Sequence, residues 1–60
     1  MLDIAQLENV YDTLAEAIDQ AGPQKSELFL VKLALLQAQA LGNDTQFADL
    51  TQRALRDLQG

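Results

Sequence analysis

Apolar positions crowd residues 26–41, Ser-Glu-Leu-Phe-Leu-Val-Lys-Leu-Ala-Leu-Leu-Gln-Ala-Gln-Ala-Leu, too densely for one side of a surface helix. On a wheel of about 100° per residue with Leu28 at the origin, Leu30, Ala34, Leu41, Ala38, Val31, Leu35 and Leu28 fill an arc from about 200° to 360°. Phe29, Leu33, Leu36 and Ala40 form a second, narrower face near 110°, roughly, on the same wheel. Two polar seams separate the faces, one with Lys25, Lys32 and Gln39 and the other with Ser26 and Gln37. A helix that is apolar nearly all round is a buried helix. A strand is excluded by the length of the run, its Leu and Ala content and the helix signals that bound it. A membrane span is excluded because polar residues interrupt it before the ~18–20 apolar residues such a span needs.

The wide arc suits two neighbouring helices of the same chain. The narrow face then needs another occupant. Burying one Leu or Phe is worth ~1.5–3 kcal/mol, so a wet narrow face forfeits several kcal/mol in a chain with few to lose.

The flanking segments also read as helices. Asp3 is placed to accept hydrogen bonds from the first-turn amides, with Gln6 three residues on to complete a capping box. Ile4, Leu7, Tyr11, Leu14, Ile18 and Ala21 follow at the a/d rhythm of helices packed nearly parallel or antiparallel. Gly22 suits the position after the helix, and Pro23 cannot continue it. The second helix starts either with Pro23 as its first residue or after Ser26 as its cap, and stops at Gly42-Asn43. Asn43 or Asp44 caps a third helix whose inner side carries Phe47, Leu50, Thr51, Ala54, Leu55 and Leu58. Asp49, Arg53 and Asp57 mark its outer side at (i, i+4) spacing, and Gln59-Gly60 should fray. The connection at residues 22–27 is short enough to fold consecutive helices back on each other. The fold expected is therefore all-α, a three-helix antiparallel arrangement with helices at about 4–21, 24–41 and 45–58, oligomerising through the central helix.

Length sharpens this picture. Sixty residues make one domain, and at that size a chain buries only ~60% of the surface its unfolded state exposes. There is no cysteine to staple it. There is no histidine either, which removes the usual neutral-pH acid/base, the commonest metal ligand and the Ser–His and Cys–His nucleophile pairs. No glycine-rich phosphate loop is present. No cofactor, metal or catalytic residue is expected. The N-terminal residues lack the basic region, long apolar core and cleavage site of a signal peptide, so a cytoplasmic location is expected.

The net charge of −5 comes from 4 basic and 9 acidic residues, unevenly placed. Residues 1–22 hold Asp3, Glu8, Asp12, Glu16 and Asp19 and no base, whereas residues 23–60 balance Lys25, Lys32, Arg53 and Arg56 against Glu27, Asp44, Asp49 and Asp57. Phosphate backbones and anionic membranes call for clustered Lys and Arg, so neither is an expected partner. Glu8, Asp12, Glu16 and Asp19 share one sector of the first helix, opposite its apolar stripe. A solvated, solubilising face explains them most simply. The sharper alternative is a docking face for a basic protein partner. A divalent cation site lacks a loop to converge the oxygens. Tyr11 reads as a core or interface anchor. Phe29 is the candidate hot spot of an oligomer interface made by Phe29, Leu33, Leu36 and Ala40. Lys25 and Lys32, seven apart on one seam, could pair with acids of a partner subunit.

Ala34 to Leu58, with Leu41-Gly42, Phe47 and Ala54-Leu55, resembles one tetratricopeptide helix-turn-helix unit. A lone unit cannot bury its faces, and no second copy exists in the chain, so the likeness reflects the shared chemistry of a tight αα-hairpin. Taken together, Leu2-Asp3, Leu7, Val10-Tyr11-Asp12, Ala17-Ile18-Asp19, Lys25-Ser26-Glu27-Leu28-Phe29-Leu30 and Lys32-Leu33-Ala34-Leu35-Leu36 resemble a family of short bacterial proteins known only as a domain of unknown function. The resemblance spans nearly the whole chain and implies a small free-standing protein of the bacterial cytosol, with no activity or site to carry over. The function expected is a small acidic helical interaction protein: a homo-oligomeric accessory or regulatory subunit without catalysis, by default a two-fold dimer. The competing class is a small-ligand-binding protein or minor enzyme with an apolar cavity between subunits. An RNA-binding helical hairpin would need a basic face that the sequence does not contain.

Overall fold

A computed structural model describes residues 1–59. It contains three helices and, among those residues, no strand: α1 (Ile4–Ala21), α2 (Ser26–Leu41) and α3 (Asp44–Gln59). The three-helix all-α expectation holds. The expected fraying of Gly60 lies outside the described residues.

Local chemistry sets each boundary. Asp3 Oδ1 accepts from the Gln6 amide at 2.8 Å, and Gln6 Oε1 accepts from the Asp3 amide at 3.1 Å. Both arms of the capping box are thus made. α1 ends at Gly22, whose φ of 81° suits a residue without a Cβ and whose N–H reaches the Ile18 carbonyl at 3.0 Å. The Lys25 N–H then donates to the Gly22 carbonyl at 3.1 Å, so Pro23 lies in a turn rather than in the first turn of α2. α2 begins two residues later than expected, and Lys25 takes the cap position without a side-chain bond. Gly42 closes α2 in the left-handed conformation, φ 70° and ψ 23°, its N–H on the Ala38 carbonyl at 3.0 Å. Of the two cap candidates for α3, Asn43 fills the role: its Oδ1 accepts from the Gln46 amide at 2.9 Å.

The packing is far more open than a bundle. Three aligned helices of 16–18 residues would measure roughly 27 Å in length and ~15 Å across their Cα atoms. The observed extents are 31 × 28 × 27 Å, so the helices point in different directions. The radius of gyration is 12.8 Å, against about 10 Å for a compact chain of this length. Among the described residues, no two Cα atoms twelve or more positions apart come within 8 Å. α1 touches α2, and α2 touches α3, only beside the connecting turns, and α1 and α3 do not meet.

Burial follows from this shape. No described residue is fully buried. The best-covered side chains are Leu14, Ala17 and Ala21 of α1, Ser26, Phe29, Leu33, Ala34 and Ala38 of α2, and Phe47 of α3, all half-buried. The accessible surface is 5589 Å², whereas a compact protein of 6.6 kDa exposes about 3,900 Å². The chain therefore shows on the order of 1,700 Å² more than a finished fold of its mass.

An added Cβ at Gly42 meets nothing within 4 Å, so Gly42→Ala probes backbone conformation alone. It is expected to cost about 1–2 kcal/mol through the left-handed φ. Gly42→Asn should cost distinctly less, as asparagine tolerates that region. Urea denaturation of the three proteins measures the order.

Candidate functional site

The chain has no histidine or cysteine, and its ionisable side chains are nine carboxylates, one phenol and four cations. The acidic residues Glu8, Asp12, Glu16 and Asp19 all lie exposed along α1. Among the described residues no three acidic side chains gather into a set that could hold a metal ion. No helix is long and apolar enough to cross a membrane.

The faces of α2 are distributed differently from the two-face scheme read off its sequence. Phe29 and Leu33, assigned to the narrow outward face, are half-buried within the chain, while Leu36 and Ala40 of that face stay exposed. Leu28, Val31 and Leu35, assigned to the intrachain arc, are 50–60% exposed, and Leu36 is 64% exposed. The physical reason lies in the turn at Gly22–Lys25. It turns the Leu33 and Gln37 side of α2 toward α1, and the Gln37 and Leu41 side toward α3. The open side of α2 therefore carries Leu28, Val31, Leu35 and Leu36, with Lys32 and Gln39 between them. Lys32, Leu35, Leu36 and Gln39 line a shallow hollow there. Lys25 and Lys32 flank another with Ala21, Leu28 and Phe29.

Two further hollows lie where the helices diverge. One, of about 300 Å³, separates Asn9, Val10, Thr13 and Leu14 of α1 from Leu33 and Gln37 of α2. The other, of about 390 Å³, lies between Gln37 and Leu41 of α2 and Phe47, Leu50, Thr51 and Ala54 of α3. Thr51 does not present its hydroxyl to this hollow as a free donor, since Oγ1 donates to the Phe47 carbonyl at 2.9 Å. The walls are mostly apolar, and the side chains that form them are half-buried or exposed. A small-molecule pocket typically encloses most of its ligand, whereas these grooves are open to solvent.

The first half of α1 is the most open apolar surface of any helix interior. Ile4, Leu7 and Tyr11 are 58–78% exposed, although they begin the a/d stripe that should face a neighbouring helix. The sequence showed this stripe but not its emptiness, which arises because α1 leaves the α2 surface before reaching Tyr11. Comparison with known proteins does not assign the surfaces: the chain matches no protein-family model, no curated protein and no solved structure.

Asp12 stands (i, i+4) from both Glu8 and Glu16 in the exposed acidic sector. Asp12→Lys replaces two like-charge steps by two attractive ones, worth about 1 kcal/mol together if the face is solvated. Thermal melts at low salt are expected to rise by a few degrees. Loss of assembly instead would place Asp12 in a contact.

Proposed function

We propose that this chain is a homo-oligomeric helical interaction protein of the cytoplasm, acting as an accessory or regulatory subunit without catalysis. The two-fold dimer is its default assembly, because a chain with one self-complementary surface closes most simply in pairs. One observation carries this: the chain exposes on the order of 1,700 Å² more than a compact fold of its mass, and none of its described side chains is fully buried. Two chains that each lose this excess would bury roughly 3,400 Å² in all, within the range of obligate dimers.

Other features support the same proposal. The carboxylates Glu8, Asp12, Glu16 and Asp19 of α1 are all exposed, as a solvated recognition face requires. Every large apolar patch lies on a helix face, the form in which helices recognise helices. Of the expected interface residues, Leu36 and Ala40 remain free to meet a partner, whereas Phe29 and Leu33 would act chiefly by holding the α1–α2 corner. The face of Glu8, Asp12, Glu16 and Asp19 offers a second, polar surface on which a basic protein could dock. The resemblance to short bacterial proteins agrees with a small independent subunit but assigns it no activity. The 390 Å³ hollow between α2 and α3 favours one alternative, an apolar ligand held between subunits, which native mass spectrometry would reveal as a co-purifying mass.

Obligate assembly links folding to chain concentration. For a dimer that unfolds as it dissociates, the melting temperature is expected to climb on the order of 6 °C per tenfold increase in concentration. Melts followed by far-UV circular dichroism over a hundredfold range check this. A constant melting temperature would remove the oligomer from the account.

A further inference from the structure

The groove between α2 and α3 lacks a third helix, and α1 lacks a groove. In a closed three-helix bundle the third helix lies between the other two, yet here α1 has no Cα within 8 Å of α3. The apolar groove wall contributed by α3 is Phe47, Leu50 and Ala54, at spacings of 3 and 4. The open stripe of α1 is Ile4, Leu7 and Tyr11, at the same spacings. Each set spans eight residues, about 12 Å of helix. Matching heptad spacing is what lets side chains of two helices interleave.

We propose that the α2–α3 groove of each chain receives the first half of α1 from a second copy, so that two chains exchange residues 4–11 of α1 and each covers the other's open groove. This rests on the homo-oligomer proposed above and names its surfaces. An exchanged pair is isologous and closes at two chains, so no groove is left to propagate a filament. The excess area of ~1,700 Å² per chain is of the size an intertwined dimer needs, and about twice the ~800 Å² per partner of a standard interface. Charge disfavours the symmetric alternative. α1 with its leading residues carries five acids and no base, whereas the rest of the chain balances Lys25, Lys32, Arg53 and Arg56 against Glu27, Asp44, Asp49 and Asp57. Stacking α1 on its own copy would set like charge on like, and seating it between α2 and α3 avoids that repulsion. The half-buried Leu14, Ala17 and Ala21 keep the second half of α1 on its own α2, so the exchange involves residues 4–11 alone.

The absence of cysteine permits a direct test. A Leu7→Cys chain and a Leu50→Cys chain of different mass are mixed, unfolded, refolded together and oxidised. A disulfide requires Cα atoms within roughly 7 Å. Leu7 and Leu50 are the middle members of their stripes, so they meet whichever way α1 runs along the groove. The expected product is the mixed disulfide, in excess over both homodisulfides. If either variant fails to fold, Tyr11→Cys is tried against Ala54→Cys and against Phe47→Cys, one pair for each direction. A Leu36→Cys homodisulfide without the mixed product would overturn the exchange but leave the homo-oligomer standing, joined through the open side of α2. An intramolecular disulfide in a chain carrying both Leu7→Cys and Leu50→Cys would overturn it by showing that α1 closes in cis. Monomeric chains with no cross-link would overturn both proposals.

Discussion

Burying the leucines and isoleucines of this chain requires helices to lie along one another, and the two turns prevent it. At Gly22–Lys25 and again at Gly42–Asn43 the backbone changes direction within a few residues, and the helices separate soon afterwards. Side chains on the facing sides of the helices, such as Leu14, Ala17, Ala21, Phe29, Leu33 and Ala38, gain only partial cover. The free ends of α1 and α3 project into solvent with their stripes intact. Helices of 16–18 residues draw most of their stability from tertiary packing of an apolar face rather than from propensity. The open grooves and the bare start of α1 both derive from that incomplete closure, and the second chain proposed above would cover them.

Individual elements differ in how far their sequences reveal them. α1 was legible to the residue, because Asp3 and Gln6 cap it by paired side-chain bonds and Gly22-Pro23 ends it. These are local signals that no distant contact can override. The start of α2 was less legible. Pro23 suits a first helical position, but the Lys25 amide instead closes a turn on Gly22 and defers the helix to Ser26. The orientation of α2 could not be read at all, since a helix apolar nearly all round has no strong preference for which side it presents. Its wheel shows that two faces exist, and the turn decides that Phe29 and Leu33 are sheltered while Leu28, Val31 and Leu35 are left open.

The candidate sites follow the same division. The acidic sector of α1 could be drawn from spacing alone, because a helix face is a local property once the helix is known. The grooves depend on the angles between helices, which spacing does not contain. The chain's titratable groups are carboxylates, one phenol and four cations, arranged along helix exteriors. The partner we propose for its open apolar faces is a second copy of the same chain.

The central claim is that one chain cannot complete a core and two can. Sedimentation equilibrium over a dilution series, with far-UV circular dichroism of the same samples, tests it most directly. The account requires about twice the 6.6 kDa chain mass at high concentration, with helix content falling as the mass falls to that of one chain. A fully helical monomer, stable at micromolar concentration, would contradict it: the helices would then have to close on themselves, and the open surfaces described above would not be the protein's working state.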